Sequence, residues 1–260
     1  MLLGLLLSAL LVSVAALASG WRVYETGRDV FSLPIEQARG KLALRVFGVS
    51  VGIPVALGLA PASVFALAGA LGACALGTSL VTGFDGSALR RSMTFLGLTS
   101  TAMTVATLRF GTVDLDAAHA AQVVIGPGPI VGPPLAAGLS IAALLIGWVS
   151  GGFWLSSLPE LPRFAGKLLR SGETALVGAA VTACAWGPSA APFARGSLSI
   201  DAVSRAGVSL LVTIAAVALL AIARRSFPRI SQRLALTILI PLTGALVIAV
   251  VGLHVGALSS

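Results

Sequence analysis

Acidic residues are scarce in this chain: nine Asp and Glu in 260 residues, against seventeen Lys and Arg. Other reactive side chains are scarcer, with two Cys, two His and one Tyr. Cys74 and Cys184 stand far apart with no CxxC or Cys/His spacing, so each reads as a small buried hydrophobe. His119 and His254 are isolated, which leaves almost no ligand set for a haem or a metal. No nucleophile elbow, Walker loop, HExxH or dinucleotide fingerprint occurs, and this argues against an enzyme that works alone. Charged residues of both signs make up only 10% of the chain, too few for the surface of a soluble domain of this length.

What the chain has instead is apolar bulk: 57% hydrophobic residues and a mean hydropathy of +1.02. Eight long apolar segments are predicted, at about 1–21, 42–60, 61–84, 92–110, 134–155, 174–192, 202–223 and 234–258. Runs of this length match the ~20 helical residues that cross a bilayer core. The first has no basic n-region and is as long as a full span, so it is expected to be a retained helix rather than a signal peptide. The expectation is a single all-α polytopic membrane domain over residues 1–260. Thirty glycines suit close helix–helix approach in lipid.

The basic residues orient it. Connections one–two, three–four, five–six and seven–eight hold Arg22, Arg28, Arg39, Lys41, Arg45, Arg90, Arg91, Arg163, Lys167, Arg170, Arg224, Arg225, Arg229 and Arg233, fourteen of the seventeen. Arg109, Arg195 and Arg205 are left for the other side. By the positive-inside rule both termini face the outside or periplasm. The same distribution accounts for the net charge of +8 without a continuous basic face, so nucleic acid is not an expected partner.

An ionisable group at membrane depth is costly and needs a partner, which makes it the first place to look for function. Glu173 falls at the expected start of the sixth segment. Its simplest role is to complement the helix dipole in a first turn; the functional alternative is a buried pair with Arg170 or Lys167. Glu160 lies between Pro159 and Pro162 on stiff extended backbone, suited to docking or an ion entrance together with Arg163, and equally to a solvated loop. Asp114 and Asp116 precede a short possible helix and read as N-caps before metal ligands. Arg224, Arg225, Arg229 and Arg233 form a cytosolic cluster able to meet lipid headgroups or an acidic partner subunit, though topology alone accounts for it. The Gly52-Ile53-Pro54 triplet is a candidate helix break, the feature a stand-alone transporter needs.

Several ordered stretches carry a family resemblance. Gly111-Thr112-Val113-Asp114-Leu115, followed by Ala118 and Ala121-Gln122, resembles a Gly-Ser-Leu-Asn-Leu…Glu-Ala-Gln stretch. Pro134-Leu135 opening a span that ends Leu158-Pro159-Glu160 resembles a helix closing in Pro-Phe-Asp-Leu-Pro-Glu. Arg224-Arg225-Ser226-Phe227-Pro228-Arg229, with Gln232 and Pro241-Leu242, resembles an Arg-Ala-Thr-Phe-Pro-Arg…Gln-Leu…Leu-Pro-Leu ending. Together with Gly83-Phe84-Asp85-Gly86-Ser87 and Arg90, these resemble the quinone-site membrane subunit of respiratory complex I (NADH dehydrogenase subunit one). They also resemble its relatives in membrane-bound hydrogenases and formate hydrogenlyases, over roughly Ala75 to Leu242.

The resemblance implies a non-catalytic subunit of an energy-converting, ion-translocating redox complex in the bacterial cytoplasmic (inner) membrane. Its implied partners are antiporter-like membrane subunits, a soluble cytosolic redox arm and lipids. The chain departs from the family in two places. Arg22–Lys41 lacks the Arg-x-Gly-Pro signature, which speaks against a quinone site, and no bound cofactor is expected. Ser92–Phe110 lacks the family's membrane glutamates, which speaks against proton conduction by this subunit alone. A permease acting by itself and a purely structural scaffold are the competing readings.

Overall fold

A computed structural model describes residues 2–20, 39–60, 63–81, 112–114, 117, 163–186 and 199–226. Five α-helices account for nearly all of these: α1 (Leu2–Ala18), α2 (Arg39–Leu57), α3 (Val64–Val81), α4 (Arg163–Trp186) and α5 (Ile200–Ser226). Among the described residues there is no strand, only one isolated antiparallel bridge between Ser63 and Asp114. The helical class expected from the sequence is therefore present. The fourth, fifth and eighth apolar segments lie outside the described residues.

Local chemistry sets the helix ends. α1 stops at Gly20, whose φ of 79° only glycine adopts without strain, with its N–H donating to the Leu17 carbonyl at 2.9 Å. α2 ends in the same way at Gly58 (φ 75°). Here Gly58 N–H donates to Val55 O at 3.0 Å and Leu59 N–H to Pro54 O at 2.9 Å, the paired bonds of a Schellman cap. α3 begins with Ser63, whose Oγ accepts the Ala66 N–H at 3.0 Å, an N-cap bond. α2 runs through Pro54 without interruption, so the expected break at Gly52-Ile53-Pro54 does not occur. A single missing N–H is tolerated inside a helix whose flanks are held by neighbouring helices.

α4 is the centre of the bundle. It packs on α1, α2 and α5, and every residue from Ser171 to Ala183 is buried. A helix buried on all sides needs small residues to let its neighbours in. At Gly178 an added Cβ would stand 3.0 Å from the Val217 Cα of α5, so backbone meets backbone there. At Gly48 of α2 the same atom would reach 2.5 Å from the Ala70 carbonyl of α3. α2 and α3 pack closely together, whereas α1 and α2, joined in sequence, barely touch.

Two helices turn large aliphatic side chains outward. On α5 the inward stripe is Ala206, Ser209, Thr213, Val217 and Leu220, while Val208, Leu211, Leu219 and Ile222 face outward. α1 likewise leaves Leu3, Leu5, Leu6, Leu10 and Leu17 outside and buries Leu11, Ala15 and Ala16. In water the large aliphatics would be drawn inward and the hydroxyls outward. α5 also contains, in Ala206–Ala223, the one window among the described residues long and apolar enough to cross a membrane, with mean hydropathy 2.5. Leu3–Ala18, Ala43–Leu57 and Val64–Cys74 are shorter apolar runs.

Candidate functional site

Two charges lie at the heart of the bundle. Arg45 of α2 and Glu173 of α4 are 1% and 0% exposed, and 128 positions apart in the chain. Arg45 Nε donates to Glu173 Oε1 at 2.6 Å and Nη2 donates to Oε2 at 2.9 Å, a bidentate fork on the carboxylate. Each residue sits within about a turn of the middle of its helix. The planar guanidinium spends its charge and two of its donors on one carboxylate, an arrangement an ammonium cannot copy.

This pair corrects three expectations. Glu173 was placed in the first turn of its helix, but α4 begins at Arg163, three turns earlier, so Glu173 lies in the helix interior and has no N-terminal dipole to complement. Its bidentate partner is Arg45 rather than its sequence neighbours Arg170 or Lys167. Arg45 itself had been counted among the loop cations that set topology; it is instead one of the largest fully buried side chains of the described core.

Arg170, one turn before Glu173 on the same helix, is partly buried and within electrostatic reach of both Arg45 and Glu173. It adds a second cation to the surroundings of the carboxylate. Cys74 of α3 closes the site from the third side: its buried thiol donates to the Arg45 carbonyl at 3.7 Å, which agrees with its reading as a small hydrophobe. Further along α4 a hydroxyl contact ties the helix to α5. Thr213 Oγ1 and Thr182 Oγ1 are 3.1 Å apart, and each also reaches a carbonyl of its own helix.

No family model and no curated protein matches the chain. The site must be read from its own geometry.

Asp114 lies at the far end of α3 from the charge pair. It is exposed, its N–H bonds Thr112 Oγ1 at 3.1 Å, and the neighbouring Val113 carbonyl accepts the Val64 N–H at 2.8 Å. The segment carrying Asp114 thus pins the start of α3 through its backbone, a contact no local pattern announces. Among the described residues no three His, Cys, Asp or Glu converge. Arg163 opens α4 and Arg224 and Arg225 occupy the last turn of α5, where cations suit the helix dipole. Glu160, Asp116, Arg229 and Arg233 lie outside the described residues.

Sequence reasoning singled out Glu173 and missed Arg45. The available signal was the position of Arg45 four residues inside an apolar segment, since a cation there is either snorkelling to the interface or paired.

Proposed function

We propose that this chain is an integral membrane subunit of an energy-converting redox complex, with about eight spans and both termini outside. It anchors a soluble cytosolic arm and packs beside antiporter-like membrane subunits. The observation that carries the membrane part of this reading is the large aliphatic surface that α1 and α5 turn outward: Leu5, Leu6, Leu17, Leu211, Leu219 and Ile222 outside, with Ser209 and Thr213 of α5 inside. In lipid the large aliphatics have nothing to gain by turning inward, and small and hydroxyl residues supply the contacts that hold helices together.

The assignment to a redox complex rests on the ordered motifs between Ala75 and Leu242 and on the basic cytosolic connections. The Arg45–Glu173 pair is its charged centre. A carboxylate with both oxygens engaged by one Arg suits a subunit that anchors and couples without conducting by itself. The continuity of α2 through Pro54 lends no support to a lone transporter at that position.

The test is purification of the tagged chain in gentle detergent and mass spectrometry of what stays bound. Antiporter-like membrane subunits or a soluble redox arm are the expected companions. A homogeneous species holding only this chain overturns the complex reading.

A further inference from the structure

The weak contact between α1 and α2 leaves a groove of about 1060 Å³ between them, floored by Leu168, Leu169 and Gly172 of α4. Its walls are mainly aliphatic, with Ser8, Ser13 and Ser50 among them, and among the described residues no charged side chain lines it. The rim includes Leu3, Leu5 and Val46, which belong to the outward apolar surface, so the groove opens sideways into whatever surrounds that surface. Two of its polar groups lack a usual partner. Ser8 Oγ is the one buried side-chain polar atom among the described residues with no hydrogen-bond partner. Ser50 loses the donor its carbonyl would meet one turn on, because that position is Pro54.

We propose that this groove holds one acyl chain of a membrane phospholipid. The mainly aliphatic lining among the described residues suits an apolar occupant, and the sideways opening matches entry from lipid rather than from water. Length matches an acyl chain: on α1 the lining runs from Leu3 to Ser13, about 15 Å of helix and half of the ~30 Å hydrocarbon core, the depth of one leaflet. The proposal rests on the membrane reading alone. Companion subunits and retained lipid are separate readouts, so either can fail without the other.

The experiment delipidates the purified full chain by detergent washing and quantifies retained phospholipid by mass spectrometry. A stoichiometric phospholipid on the wild type is expected, and Ser50→Trp, which fills the groove from α2, should retain about tenfold less. Val12→Phe fills it from α1 and should do the same, which guards against one variant misfolding. Adding a phosphatidylethanolamine–phosphatidylglycerol mixture to the delipidated wild type should raise its Tm. No retained phospholipid and no Tm shift, equal retention in both folded variants, or an isoprenoid in place of the phospholipid overturns the proposal.

Discussion

Arg45 and Glu173 each need the other more than the fold needs the pair. Two buried charges in bidentate contact roughly offset their own desolvation, but a single one left behind is uncompensated. Arg45→Met or Glu173→Leu alone should therefore destabilise the bundle by about 3–5 kcal/mol, and the double variant should recover most of that loss. Thermal unfolding of the four proteins in one detergent measures it; a double variant as damaged as the singles sinks the pairing argument. Arg170→Ala should cost less than Arg45→Met, because Arg170 is only partly buried and is not the bidentate partner. At the end of α3, Ser63→Ala removes the N-cap acceptor and should cost about 1 kcal/mol, read in the same assay.

Among the helices, one close seam lies between α4 and α5. Gly178→Ala places a methyl 3.0 Å from the Val217 Cα, and because backbone cannot step aside as a side chain can, a loss of about 1–3 kcal/mol is expected. Gly69→Ala is the matched control: nothing lies within 4 Å of its added Cβ, so the better helix propensity should show as a gain of up to ~1 kcal/mol. If both substitutions shift Tm equally, the tight crossing at Gly178 is not where the structure has it. Thr213→Val removes the hydroxyl that meets Thr182 and should cost only about 0.6 kcal/mol, since each hydroxyl keeps a carbonyl of its own helix. These crossings were not legible in the sequence. Thirty glycines announce close packing somewhere, but helices that are apolar all round have no periodicity to say which glycine meets which neighbour.

For the molecule as a whole, the proposed topology puts the end of α1 and the start of α5 on opposite sides of a membrane. With Cys74 and Cys184 replaced by Ala, Ser19→Cys should react with an impermeant maleimide only after the membrane is opened. Ile200→Cys, on a residue 87% exposed, should react from outside in intact cells. Labelling of both from one side overturns the topology. The composition and the spacing of apolar runs made helices legible, and the scarcity of acids drew attention to Glu173, because a lone carboxylate near an apolar segment is conspicuous. The same reasoning misassigned Arg45, since a cation near a segment boundary looks the same whether it marks a loop or enters the core.

By itself the sequence determined the helical class and the burial of Cys74, while the positive φ of Gly20 and Gly58 that ends α1 and α2 came from the structure. The first two depend on the composition of a short stretch of chain: apolar runs, and a small soft side chain with no ligand partners nearby. Only the tertiary structure decided that Glu173 is met by Arg45, that α4 is the central helix, and that α1 and α2 part to leave a groove. The physical reason is distance. Ion pairing and close packing act over a few ångströms in space, and residues 128 positions apart come within that range only when helices from both ends of the chain have packed together.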